Sequence, residues 1–148
     1  MRVNSEAEML QFGRDFAQQL ELSAIIELIG DVGAGKTTFT RGLAEGLGIS
    51  EPVTSPSFTI SKRYAFPLPV KCCKNDNTSH CGELIHYDFY RLDDPGIMRD
   101  ELFDSISQPN SVIVIEWGGG VTDLLPNTKY RLEISQLNYD ERELKIFH

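Results

Sequence analysis

Cysteine is scarce in this chain and badly spaced for cross-linking. There are three, with Cys72 and Cys73 adjacent and Cys81 following. A secreted disulfide framework uses an even, spaced set, so none is expected. A zinc site from Cys72, Cys73, His80 and Cys81 meets a similar objection. Two vicinal cysteines rarely point at one tetrahedral centre, so these are read as reduced thiols in a loop. Long apolar runs are also missing: none approaches the roughly 20 residues of a membrane span. No apolar segment follows Met1-Arg2-Val3-Asn4-Ser5, so no secretory signal is expected and the location expected is cytoplasmic. Positive charge is short as well. Lys and Arg number 14 against 22 Asp and Glu, a net charge of −8. A protein that grips phosphate backbones by itself normally carries the opposite sign, which argues against independent nucleic-acid binding.

What is present is enough for one soluble core. The 148 residues are 41% hydrophobic and 24% charged, which fits a single domain over 1–148. Ser5 with Glu8 reads as a capping box, and Met9, Phe12, Phe16 and Leu20 continue at helical spacing, predicting a helix over about 6–21. Ala24–Ile29 is a short apolar run, read as a buried strand. A second helix is expected from Lys36 to about Leu47, with Gly48 where a C′ glycine belongs. Alternation of Phe58, Ile60, Lys62 and Tyr64 suggests a strand after Ser55-Pro56. Residues 67–82 are polar and turn-rich, a loop or hairpin tip. Leu84–Phe89 and Val112–Ile115 read as strands, Met98, Leu102 and Ile106 as one helix face. Tyr130–Ile134 and Leu144–Ile146 read as two late strands. Strands interleaved with helices predict an α/β fold, a three-layer α/β/α sandwich.

Gly30-Asp31-Val32-Gly33-Ala34-Gly35-Lys36-Thr37 matches the phosphate-loop pattern G-x-x-x-x-G-K-[ST] at each fixed position. Small residues let successive backbone N–H groups turn inward around an anion, and the loop feeds a helix N-terminus. Lys36 is expected at the β- and γ-phosphates and the Thr37 hydroxyl in a Mg²⁺ shell. Such a site also needs an acidic residue at the end of a buried strand. Glu116 follows four β-branched residues, and Asp88 lies in a half-alternating strand and is followed by Phe89-Tyr90-Arg91; both are candidates. Trp117, the sole tryptophan, is placed at the edge of the cleft. His86 and Tyr87 fall on opposite faces of one strand and are read as packing residues.

Four blocks in this order go beyond a generic phosphate loop: 30–42, then Val53-Thr54-Ser55-Pro56-Ser57-Phe58, then His86-Tyr87-Asp88-Phe89-Tyr90-Arg91-Leu92, then Ile115-Glu116-Trp117. The series resembles the TsaE family, formerly called YjeE, over nearly the whole chain. The resemblance implies a P-loop NTPase fold with a mostly parallel central sheet and late antiparallel strands. It implies a Mg-dependent ATPase, slow alone, that acts with TsaD and TsaB in making N6-threonylcarbamoyladenosine at A37 of tRNA. It further implies that Gly33, Ala34, Gly35, Lys36, Thr37 and Thr38 bind phosphates and that Thr37 and Glu116 hold Mg²⁺. Asp88 and Trp117 match positions needed for hydrolysis. Ser5, Glu6 and Arg142 match positions on the base side of the nucleotide, and Thr54–Phe58 a switch-like loop. Against the family pattern, residues 67–82 look like an insertion, and Gly118-Gly119-Gly120 suggests a mobile lip.

Other functions fit less well. A small-molecule kinase would want an acceptor pocket and usually an arginine-bearing lid, and the chain has Arg91 and Arg99 but no clear arginine-rich lid. A GTPase would want Asn-Lys-x-Asp, and Asn127-Thr128-Lys129-Tyr130 lacks the acid. A nucleotide-gated binding module without turnover differs from a partner-dependent ATPase only in what happens when partners are present.

Overall fold

The first helix begins where its cap dictates. Ser5 is extended, and its Oγ accepts a hydrogen bond from the Glu8 backbone N–H at 3.1 Å. Glu8 reaches back to the N–H of Asn4 at 2.8 Å, one residue earlier than a standard capping box. In this computed structural model, which describes residues 1–56, 58–68, 81–90, 92, 94, 96–126 and 130–148, helix α1 spans Glu6–Gln19 and buries Met9, Phe12 and Phe16. Helix α2 spans Lys36–Gly46, and Gly48 follows with φ +87°, the left-handed C′ position expected of it.

Helices α1 and α2 touch backbone to backbone. A Cβ on Gly42 would lie 2.2 Å from the Leu10 carbonyl oxygen, and one on Gly13 would lie 2.5 Å from that of Phe39. Only glycine permits this approach. It brings the Phe12, Phe16 and Phe39 rings into one cluster with centroids 5.6–5.9 Å apart.

The strands are β1 (Arg2–Val3), β2 (Ala24–Ile29), β3 (Ser61–Pro67), β4 (Cys81–Asp88), β5 (Ser111–Glu116), β6 (Tyr130–Gln136) and β7 (Arg142–Phe147). They form one sheet in the order β1-β7-β6-β2-β5-β4-β3. The pairs β6–β2, β2–β5 and β5–β4 are parallel, and the outer pairs are antiparallel. Parallel strands are covered on both faces, which is why β2 is apolar at every position but Glu27 and β5 is apolar from Val112 to Ile115. The core packed by α1 and α2 holds Ile26, Leu28, Val112, Val114 and Leu132. The opposite core holds Ile25, Ile85, Tyr87, Ile113 and Ile115 under α3 (Ile97–Ser107) and a 3₁₀ helix, Gly118–Leu124. This is the expected three-layer α/β fold with a parallel centre. Among the described residues, no helix is long and apolar enough to cross a membrane.

Three local expectations need correction. The strand expected from Phe58 begins at Ser61. The Pro56 carbonyl accepts N–H bonds from Thr59 and Ile60 at 2.9 and 2.7 Å, closing a turn, and Ile60 takes φ +66°. Phe58 is left fully exposed on that turn, so its alternation with Ile60 was not a strand signal. Gly118, Gly119 and Gly120, expected as a lip after Trp117, form the first part of the 3₁₀ helix. Thr122 Oγ1 donates to the Gly118 carbonyl at 3.1 Å, while Arg99 donates to the Gly120 carbonyl at 2.9 Å and to Asp123 at 2.6 Å. Pro67, Cys81 and Gly82, expected in the loop at 67–82, instead pair within β3 and β4, and residues 69–80 of that expected loop lie outside the described residues. Cys72, Cys73 and His80 of the zinc reading lie outside the described residues, and Cys81 is exposed.

Candidate functional site

Strand β2 ends at Ile29, and the chain crosses Gly30–Gly35 before entering α2. Gly33 and Gly35 have φ of +81° and +109°, conformations that favour glycine. Gly30 sits where a Cβ would be 2.4 Å from the Ile134 carbonyl. The glycines at fixed motif positions are thus required by the loop's path. No side chain caps α2, so its first N–H groups stay available to an anion. Lys36 is 5% exposed. Its Nζ donates to the carbonyls of Gly30 and Asp31 at 2.7 and 2.9 Å and lies 4.6 Å from the centroid of the Trp117 ring.

The carboxylates come from the ends of two neighbouring parallel strands. In the β4–β5 register Asp88 stands beside Glu116. Strand ends at the C-terminal edge of a parallel sheet are where α/β folds place ligands. Glu116 is 4% exposed. Its Oε1 lies 2.9 Å from His86 Nε2, within hydrogen-bond distance, and its Oε2 lies 3.8 Å from Lys36 Nζ. Asp88 Oδ2 accepts from Ser55 Oγ at 3.1 Å, and Oδ1 from the Tyr90 N–H at 2.9 Å. Burial of two carboxylates is tolerable because each is hydrogen-bonded and a cation is adjacent. Trp117 turns the chain off β5 in the left-handed region, φ +58°, and its ring lies 4.9 Å from that of Tyr90.

Two depressions meet at the loop. The larger, about 810 Å³, is lined by Lys36, Thr37, Thr38, Ser55, Asp88, Glu116 and Trp117. The smaller, about 400 Å³, is lined by Ser5, Glu6, Met9, Ala34, Thr38, Tyr139 and Arg142. Gly33 and Gly35 line both. Ser5 and Glu6 are far from Arg142 in sequence, but the antiparallel pairing of Val3 with Arg142 brings them to one depression. Arg142 Nη1 is held against the Asn138 and Tyr139 carbonyls at 3.1 and 3.0 Å. Every sequence-selected site residue therefore borders one of the two depressions. Among the described residues no cluster of three or more His, Cys, Asp or Glu side chains forms a metal cage.

Sequence reasoning missed Tyr139, the role of His86, and the bond by which Ser55, placed only within the Thr54–Phe58 loop, holds Asp88. His86 is not the simple packing residue expected, because it is fully buried and bonded to Glu116. The signal was present: His86 and Asp88 are two apart on one strand and so share a face. Tyr87, on the other face, bonds Ser105 at 2.9 Å and fits the packing reading.

Comparison with known proteins identifies the family. The profile of the family described as threonylcarbamoyl adenosine biosynthesis protein TsaE matches residues 3–144. A tRNA threonylcarbamoyladenosine biosynthesis protein TsaE from Streptomyces coelicolor is 37% identical over 128 residues, 86% of this chain and 79% of that protein. The protein of the same name from Bacillus subtilis is 38% identical over 120 residues, 81% of this chain and 66% of that protein. A crystal structure of Bacillus subtilis YdiB superposes with a TM-score of 0.70 at 32% identity, covering 97% of this chain and 80% of that one. A family match across almost the whole length, on a fold that assembles the matched residues around one loop, means that this chain belongs to the TsaE family.

Proposed function

We propose that this protein is the Mg-dependent, ATP-binding and ATP-hydrolysing subunit of tRNA N6-threonylcarbamoyladenosine formation, acting with TsaD and TsaB. The role in threonylcarbamoyladenosine biosynthesis follows from the family. The observation that carries the nucleotide part is Lys36. It is buried, held on the loop's own carbonyls, and set between that loop and Glu116. A lysine there supplies a mobile positive charge to a phosphate that displaces the two carbonyls. The larger depression suits the phosphates and the smaller one the nucleoside, with Arg142 and Ser5 on its wall.

The donor set suits Mg²⁺, which takes hard oxygen ligands and keeps several waters. Thr37 and Glu116 would hold it, and when bound it would neutralise charge on the phosphate oxygens. Asp88, held by Ser55 and the Tyr90 N–H, is fixed in orientation to accept a proton from water at its carboxylate. Trp117 covers one side of Lys36 and limits water there. A chain of net charge −8 is suited to meeting proteins rather than tRNA in this pathway.

Hydrolysis of ATP measured with and without TsaB and TsaD tests the proposal. Turnover that rises when both are present supports it, and ATP binding with no turnover under those conditions refutes the hydrolytic part. Titration into unmodified tRNA tests the partner choice. Tight binding that weakens steeply with salt would contradict it.

A further inference from the structure

We propose that His86 is the positioning residue that divides the two oxygens of Glu116 between the protein and the cleft. The inference rests on the proposed role of Glu116 as the carboxylate that holds the metal of a bound nucleotide. His86 is fully buried on β4, and its register partner on β5 is Val114, two residues before Glu116. Its Nε2 lies 2.9 Å from Glu116 Oε1, while Oε2 is the oxygen that faces Lys36 at 3.8 Å. One carboxylate oxygen is thus tied to the sheet and the other is presented to the cleft.

The other ring nitrogen identifies the donor. His86 Nδ1 is buried with no hydrogen-bond partner among the described residues. A bare lone pair in that apolar position is cheaper to leave unmatched than an N–H, which would forfeit a strong donor. The proton therefore resides on Nε2, and Nε2–H donates to Glu116. Fixing a ligand carboxylate in this way is the usual task of an outer-shell partner, and its loss typically lowers metal affinity or activity about 10–100-fold.

The arrangement also keeps Glu116 from capturing Lys36. Freed from His86, the carboxylate can rotate toward the ammonium 3.8 Å away and form a close pair. That pair would hold the lysine from the phosphates. His86 thus serves both partners, orienting the carboxylate and leaving the ammonium available.

The test uses the full chain and two variants, His86→Leu and His86→Gln. Leucine fills the space without a donor, and glutamine restores an N–H that can reach Oε1. Circular dichroism and thermal melting establish that each is folded. Binding of ADP and ATP with and without Mg²⁺ is followed by calorimetry and by the fluorescence of Trp117, the sole tryptophan. For His86→Leu the gain in nucleotide affinity on adding Mg²⁺ should shrink about 10–100-fold, and kcat should fall with KM changed much less. His86→Gln should recover most of both. A His86→Leu protein with wild-type Mg²⁺ dependence and kcat overturns the proposal, as does equal impairment of both folded variants. A wild-type chain that binds no Mg-nucleotide refutes the reading of the site itself, and is recognised before any variant is compared. Should neither variant fold, nitrogen-15 NMR of the wild-type imidazoles decides: Nε2–H with bare Nδ1 supports the assignment, and the opposite tautomer overturns it.

Discussion

Lys36 Nζ lies 3.8 Å from Glu116 Oε2 but gives its short hydrogen bonds, 2.7 and 2.9 Å, to the Gly30 and Asp31 carbonyls. The ammonium is kept near an acid without being neutralised by close pairing. Exchanging two carbonyls for two phosphate oxygens is a small movement for a flexible four-carbon stem.

Lys36→Ala removes that charge. Charge-assisted hydrogen bonds contribute about 1.5–3 kcal/mol, so ATP affinity is expected to fall at least tenfold, with turnover lost. Glu116 would keep His86 as partner, so the melting temperature should drop by only a few degrees, at roughly 3 °C per kcal/mol for a chain of this size. Calorimetric titration and thermal melting measure both. A folded variant with near-wild-type hydrolysis would overturn the assignment.

Glu116→Gln keeps the shape and removes the charge. It should leave much of the nucleotide binding in place and abolish hydrolysis in the presence of TsaB and TsaD. Asp88→Asn should reduce turnover while Mg²⁺ dependence of binding persists. Were Glu116→Gln to turn over normally and Asp88→Asn not, the roles of the two strand-end acids would be exchanged.

Gly42→Ala places a methyl 2.2 Å from the Leu10 carbonyl. Helix α1 must then move off α2. Overpacking of this kind costs about 1–3 kcal/mol, or a fall in melting temperature of roughly 3–9 °C. Gly119→Ala is the comparison, since nothing lies within 4 Å of its added Cβ. It should melt within about 2 °C of wild type. Denaturant and thermal curves distinguish the two.

Burial pushes the Tyr87 phenol above the ordinary 10.0, with the Ser105 hydrogen bond opposing and Glu101 adding to the rise. The folded chain therefore keeps a proton that the unfolded chain releases. Stability from this source is complete below pH 10.0 and declines as pH rises through the folded value. Tyr87→Phe should lose about 1 kcal/mol at neutral pH, from the bond to Ser105. Its stability should fall less steeply than wild type above pH 10.0. Urea midpoints measured across that range check the slope.

Much of the architecture was legible because the signals are local. A strand covered on both faces must be apolar throughout, so Val112–Ile115 announced β5 and placed Glu116 at its end. A capping serine, helical spacing and a C′ glycine bounded α1 and α2. The Gly30–Thr37 pattern was recognisable because its glycines answer to the backbone of the loop itself. The turn at Pro56–Ile60 was not legible, since its two-residue alternation imitates a strand and only the Pro56 hydrogen bonds reveal otherwise. Strand β1 was missed because two residues are too few to show a period.

By itself, then, the sequence determined the phosphate-type loop, the strand–loop–helix unit around it, the alternation of helices with buried strands, and two acids at strand ends. These depend on contacts within a few residues, where steric and hydrogen-bonding preferences act directly on residue type. Tertiary structure alone decided which groups meet. Asp88 stands beside Glu116 because β4 and β5 run parallel in that register. Arg142 lines the same depression as Ser5 and Glu6 because β7 pairs antiparallel with β1. His86 reaches Glu116, and the two glycine-bearing helices close on each other, because sheet order and helix packing join segments about 30 residues apart. No local preference encodes that distance. It is set by burying both faces of one sheet at once, which only the whole chain can do.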